Sequence, residues 1–325
     1  MDLYRPIITT AWGIALRARH LWWFALFGGL LIGSGFGSAI IQTLNANPAQ
    51  SVLAQVLDLQ TTSPDRISAL WEQARATGWG ATVALSAYGL LLLAFLAIII
   101  WFAVIGVNAI VVAASRAPKS PSSSKELRRA AHARFWPTLG IHVIAKGTEA
   151  ILLAAWGAVL IASAVQNTPF VNARAILAFV VTAVLLTCIH IIAPYAITSA
   201  VLDRRNALTA LREAFALLRD HWFITIEASL LLTLTNIVAI AVWLAGGALL
   251  ALPFLFLGGI AITKGASTLF STALIGGIIT LAIWLACIAM VFTTFLVSAW
   301  TLLFLRLTST GERPQSWFAR RFTRE

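Results

Sequence analysis

The chain has 325 residues, of which 60% are hydrophobic and only 11% charged, with a mean hydropathy of +0.89. A soluble core cannot hide that much apolar surface, so composition excludes an ordinary globular enzyme and points to an integral membrane protein. The net charge of +11 would suggest nucleic acid in a soluble protein; here the basic residues fall in short loops between apolar runs, a pattern of cytoplasmic retention, and no nucleic-acid partner is expected.

Residues 1–20 carry Arg5, Arg17, Arg19 and His20 and read as an interfacial helix. The first apolar run, 21–44, contains GSGFGSA at 33–39, which imitates a signal-peptidase site. Its continuation through Ile40 and Ile41 gives it the length of a retained spanning helix, about 20 residues. Within it Gly29, Gly33 and Gly37 form a GxxxGxxxG face suited to close helix contact, with a partner inside the chain or on a second protomer. The segment 45–80 is too small for a catalytic domain, and DRISALWEQARA inside it predicts a short surface helix.

Five further runs meet the spanning length: 81–115, 138–165, 172–202, 222–250 and 271–305. The run 81–115 and the run 271–305 each extend for about 52 Å at 1.5 Å per residue, longer than a hydrocarbon core of about 30 Å, so both must tilt, bend or project. Between them RAPKSPSSSK at 116–125 reads as a flexible linker, and GGALLALPFLFLGG at 246–259 predicts a helix end followed by a non-helical or re-entrant turn. Cys188 and Cys287 lie in apolar runs and have no disulfide or metal-site spacing.

A basic stretch ending in aromatic residues precedes each odd-numbered span: ALRARHLWWF at 15–24, RRAAHARFW at 128–136 and ALLRDHWF at 216–223. The predicted fold is therefore all-α, a polytopic membrane domain of six transmembrane helices in three hairpins, each preceded by a cytoplasmic interfacial amphipathic helix. The hairpins are 21–115, 138–202 and 222–305; 116–137 and 203–221 are basic connections, and 306–325 is a basic tail in which SWFARRF suits another interfacial anchor. Eighteen of the 23 lysines and arginines fall in the segments on the side of the termini, which places both termini in the cytoplasm.

The segment 203–221 has the clearest amphipathic pattern. Leu208, Leu211, Phe215 and Leu218 recur on one face, while Arg205, Arg212 and Arg219 recur every seven residues on another. With Trp222 and Phe223 marking the interface, the three arginines and Trp222 are the expected contacts to anionic headgroups, worth about 1 kcal/mol per basic residue. The alternative is a helix packed on protein with solvated arginines.

The run AVLDRRNALTALREAFALLRDHWF at 200–223 resembles the membrane domain found in glycerophosphodiester phosphodiesterases and in related six-helix bacterial membrane proteins of unknown function. TTAWGIALRARHLWWF looks like the first unit of the same module. The resemblance implies architecture and a bacterial cytoplasmic membrane. The soluble phosphodiesterase barrel of some members has no counterpart in these residues, so no catalytic or metal residue carries over.

Candidate chemistry lies inside the spans, because a charge at the bilayer centre costs at least ~2.5 kcal/mol. His142, Lys146 and Glu149 fall within about 60° on a helical wheel, at 100° per residue, and Thr138 extends the stripe. Glu227 and His190 are assigned to the same leaflet, His190 lying four residues before Pro194. These five residues are expected to line one polar pocket, or else Lys146 and Glu149 sit at the headgroup level if the preceding interfacial helix runs on to Gly147. No G-x-S-x-G, H-E-x-x-H, P-loop or paired-cysteine motif occurs, so neither an enzyme nor a cofactor is expected. The expected role is to bind or organise anionic lipid or to serve a membrane protein partner; the alternative is a small transporter using the polar cluster.

Overall fold

The computed structural model describes residues 4–32, 78–116, 124–166 and 169–309, with Ser68, Glu72 and Ala76. Among the described residues every element is a helix and no strand occurs. In chain order these are α1 (Tyr4–Arg17), a 3-10 turn (Arg19–Leu21), α2 (Trp22–Ile32), α3 (Trp79–Arg116), α4 (Ser124–His132) and α5 (Phe135–Gln166). Then come α6 (Pro169–Leu202), α7 (Ala207–Asp220), α8 (Trp222–Thr263) and α9 (Ser267–Ser309).

Five of them, α3, α5, α6, α8 and α9, are long and apolar enough to cross a membrane. Helices suit such sequences because hydrocarbon offers no partner to the backbone, which must satisfy its N–H and C=O groups within each segment. The sixth expected span is described only as far as α2; residues 33–44, with Gly33 and Gly37, lie outside the described residues, as does SWFARRF. Of the surface helix expected at 65–76, Ser68, Glu72 and Ala76 are described and helical.

The core gathers at one end of these helices. Buried side chains come from α1 and α2, from 103–114 of α3, 191–201 of α6, 224–232 of α8 and 292–307 of α9. The opposite ends expose Leu90 to Leu93 on α3, Ile176 and Leu177 on α6, and Leu249, Leu255 and Phe256 on α8. In water such a surface would aggregate; facing lipid tails it costs nothing.

Small residues set the closest helix contacts. A Cβ at Gly106 would collide with the Phe24 carbonyl oxygen, and one at Gly28 would lie 3.3 Å from Val107, so α2 and α3 cross with almost no space between backbones. A Cβ at Gly29 would come within 2.7 Å of Thr293 Oγ1 on α9. The glycine face read from the sequence thus packs inside the chain at Gly29.

Two expectations are corrected. GGALLALPFLFLGG does not break: α8 runs for 42 residues through Pro253 to Thr263. Gly246 there serves packing, lying against Trp284 of α9, whose indole N–H donates to the Trp243 carbonyl at 3.1 Å. The chain instead reverses at Lys264–Ala266, where Gly265 takes φ +63°. Ala266 N–H donates to Ala261 O at 2.9 Å and Gly265 N–H to Ile262 O at 3.2 Å, the paired bonds of a Schellman C-cap.

The second correction concerns α7. The four side chains of that pattern share one face but not one environment: Leu211 and Leu218 pack on the core, as does Leu217 beside the buried Ala210 and Ala214, while Leu208 and Phe215 point outward. Small alanines let α7 lie close on α6, which turns the remaining apolar side chains to the same outer side as Arg212 and Arg219.

Gly106→Ala should destabilise the protein by about 1–3 kcal/mol, the usual cost of overpacking, because its obstacle is backbone and cannot rotate away. Gly157→Ala, with no atom near its Cβ, serves as the control; thermal unfolding in detergent reads the difference.

Candidate functional site

α4 ends at His132 and a tight turn at Ala133 and Arg134 starts α5 at Phe135. α4 therefore does not continue to Gly147, and the stripe His142, Lys146, Glu149 belongs to the long helix α5. That turn is held by a polar node the sequence reading missed. Asn108 of α3 is fully buried; its Nδ2 donates to the Ala131 carbonyl at 3.1 Å, and its Oδ1 accepts from Thr138 Oγ1 at 2.9 Å. One amide thus joins α3, α4 and α5, and the only sequence signal was an asparagine in an apolar run.

A cavity of about 480 Å³ lies where α5 and α6 diverge from α8 and α9, with Val107 and Val111 of α3 contributing to its wall. Its size falls within the range of small-ligand sites, about 300–1,000 Å³. Most of its lining is apolar and includes Leu186, Ile197, Leu232, Leu296, Val297 and Trp300. Its polar lining comes from His142, Lys146, Glu149 and His190, with hydroxyls and Asn236 beside them.

Three of these polar side chains stand close together. Lys146 Nζ donates to Glu149 Oε2 at 2.8 Å, and His190 Nε2 stands 3.7 Å from Glu149 Oε1. His190 Nδ1 lies 2.9 Å from the Leu186 carbonyl; since a carbonyl only accepts, Nδ1 carries the hydrogen. Side-chain exposure is 16% for Glu149 but 44% for Lys146 and 52% for His190, so the carboxylate is the inner member and the two bases form the rim. Deeper, His142 Nε2 and Asn236 Oδ1 are buried without a hydrogen-bond partner.

The structure thus brings four of the five predicted residues to one cavity. Glu227 does not line it. It accepts a hydrogen bond from Tyr4 Oη at 2.7 Å, which fastens the start of α1 to the start of α8. Burial and the adjoining carboxylate push the Tyr4 hydroxyl well above the ordinary tyrosine range. This partnership spans 223 residues and had no local signal.

The basic contacts also separate. Arg205 pairs with Glu213 at 2.9 Å, while the other Glu213 oxygen accepts from Ser199 at 2.8 Å. Arg204 beside it takes φ 58°, the left-handed conformation that turns the chain from α6 into α7. Burial and then the charge of Glu213 push the Asp203 carboxyl up, against the pull of Arg205. Arg219 meets Asp220 at 3.3 Å, whereas Arg212 has no ion-pair partner among the described residues. Trp222 is exposed at the start of α8. Cys188 and Cys287 are free thiols, and among the described residues no cluster of three His, Cys, Asp or Glu side chains is placed to hold a metal.

No family model, curated protein or solved structure matches the chain. The geometry therefore carries the functional argument by itself.

Two substitutions test the polar joints. Asn108→Ala leaves the Thr138 hydroxyl and the Ala131 carbonyl without their buried partner and should cost about 1–3 kcal/mol in thermal unfolding. The Tyr4 contribution has the sign of a raised pKa: it is present in full below the ordinary tyrosine value, about 10, and is lost as pH rises beyond it. Tyr4→Phe should therefore flatten the alkaline side of the stability profile relative to the wild type.

Proposed function

We propose that the chain is a multi-pass membrane protein that binds a membrane lipid in the cavity between the α5–α6 and α8–α9 pairs. The observation that carries this reading is the division of the cavity lining. A hydrated solute gains little from Leu232, Leu296, Val297 and Trp300, whereas an amphiphile gains from burying its apolar part on them and placing its headgroup at Glu149 and Lys146.

The membrane setting follows the same reasoning. Three helix pairs, α2 on α3, α5 on α6 and α8 on α9, each follow a short helix, which supports three hairpins with interfacial leaders. Leu208, Phe215 and Trp222 alternate with Arg212 and Arg219 on one outer side, a surface that lies at the boundary between acyl chains and anionic headgroups. The charge distribution supports a cytoplasmic side for that surface and both termini, in the bacterial cytoplasmic membrane that the resemblance implies. The likeness of 200–223 to the membrane domain of glycerophosphodiester phosphodiesterases agrees with this layout and adds no chemistry.

A transport role is the second reading, favoured by Pro194. Its missing N–H deprives the His190 carbonyl of its helical partner beside the cavity, a place where α6 can bend. Counterflow in proteoliposomes distinguishes a permease from a protein that only holds its ligand.

Ser229 lines the cavity from α8, and Ser229→Phe should fill part of it. Purified in mild detergent, the wild type should retain lipid detectable by native mass spectrometry, and Ser229→Phe should retain much less at an unchanged melting temperature. Equal retention by the two proteins would place the lipid elsewhere.

A further inference from the structure

The donor and acceptor arrangement around the cavity identifies the headgroup, on the premise that the cavity holds a lipid. We propose that it selects a zwitterionic lipid carrying a primary ammonium and a phosphate, rather than an anionic lipid. Glu149 is the single acid in the lining and Lys146 the single lysine. They already contact each other at 2.8 Å through Oε2, and His190 Nε2 stands 3.7 Å from Oε1, beyond hydrogen-bond distance, which leaves Oε1 and the remaining ammonium hydrogens of Lys146 to a ligand. An anionic headgroup could use Lys146 but would bring a second negative charge against Glu149. A zwitterion supplies a cation to the carboxylate and an anion to the lysine, so every charge at the site gains a partner of opposite sign.

The hydroxyls sharpen the choice between ammonium and trimethylammonium. Thr187 Oγ1 donates its hydrogen to Ala183 O at 2.8 Å, and Thr198 Oγ1 donates its own to Pro194 O at 2.9 Å. Both oxygens therefore offer only lone pairs to the cavity. Thr198 stands about 16 Å farther along α6, at 1.5 Å per residue, so only Thr187, one turn from His190, joins Glu149 Oε1 in an acceptor pair that a group with N–H bonds can satisfy. A trimethylammonium has no N–H to give.

The test uses the full chain in detergent doped in turn with phosphatidylethanolamine, phosphatidylcholine or phosphatidylglycerol of matched acyl chains, read by native mass spectrometry. The expected result is a roughly tenfold preference for phosphatidylethanolamine over each of the others, the size of one charge-assisted hydrogen bond. Glu149→Gln should abolish that preference while Ser86→Ala, a change at an exposed hydroxyl far from the cavity, leaves it intact. Should Glu149→Gln fail to fold, the headgroup series on the wild type decides alone. Equal retention of the three lipids, with Ser229→Phe reducing all of them, would overturn the headgroup assignment and leave cavity binding standing. Retention that Ser229→Phe does not alter would overturn both.

Discussion

Helix contact in this protein depends on small side chains, because lipid tails are as apolar as leucine and give buried helices no hydrophobic advantage over exposed ones. Association must come from close packing and polar bonds. Both occur at the packed end of the molecule: Gly28, Gly29 and Gly106 admit neighbouring backbone or side chains, and Asn108 ties three helices together. Tyr195 adds a buried hydroxyl pair with Thr225 at 3.2 Å and an edge-on contact with Trp300. Farther along, α3, α5, α6, α8 and α9 turn large apolar side chains outward, as helices dissolved in hydrocarbon do.

The cavity is a consequence of that gradient. Its lining residues at 107–111, 183–198, 229–236 and 296–300 stand where the packed end gives way to the exposed arms. Helices that are held tightly at one end and diverge beyond it leave a wedge between them. α5 and α6 remain packed on each other, as do α8 and α9, so the wedge opens between pairs and not within them. The polar stripe of α5 faces this opening, which lets Lys146 and His190 stay at the rim while Glu149 lies farther in.

Much of the architecture was legible in the sequence, because length and apolarity alone determine which segments suit a bilayer. The grouping of His142, Lys146 and Glu149 was legible for the same local reason: residues spaced by four and three share a helix face. What periodicity could not reveal were partners distant in sequence. Tyr4 removes Glu227 from the polar cluster, and Asn236 joins the cavity lining with no neighbouring charge to draw notice. GGALLALPFLFLGG misled because proline and glycine break helices in water, whereas in a long apolar helix neighbouring helices tolerate the lost bond and fill the space above Gly246, Gly247 and Gly258. In α7 the moment was visible, but the burial of Ala210 and Ala214 in place of Leu208 and Phe215 depended on how closely α6 approaches.

On the proposed reading, the outer side of α7 and the cavity meet lipid by opposite electrostatic logic. On the outer side of α7, Arg212 has no ion-pair partner among the described residues while Arg219 meets Asp220, and the charge of Arg212 acts as a surface field whose range is set by the Debye length, about 8 Å at physiological ionic strength. In the cavity the lysine is answered at contact distance by Glu149, so no net field remains to attract anions from afar. On that reading, recognition inside comes from matched contacts at fixed positions, which distinguish headgroups by the hydrogens they carry. A protein arranged in this way can lie against an anionic leaflet through its surface while accepting a different lipid within, because the first interaction needs only charge and the second needs geometry.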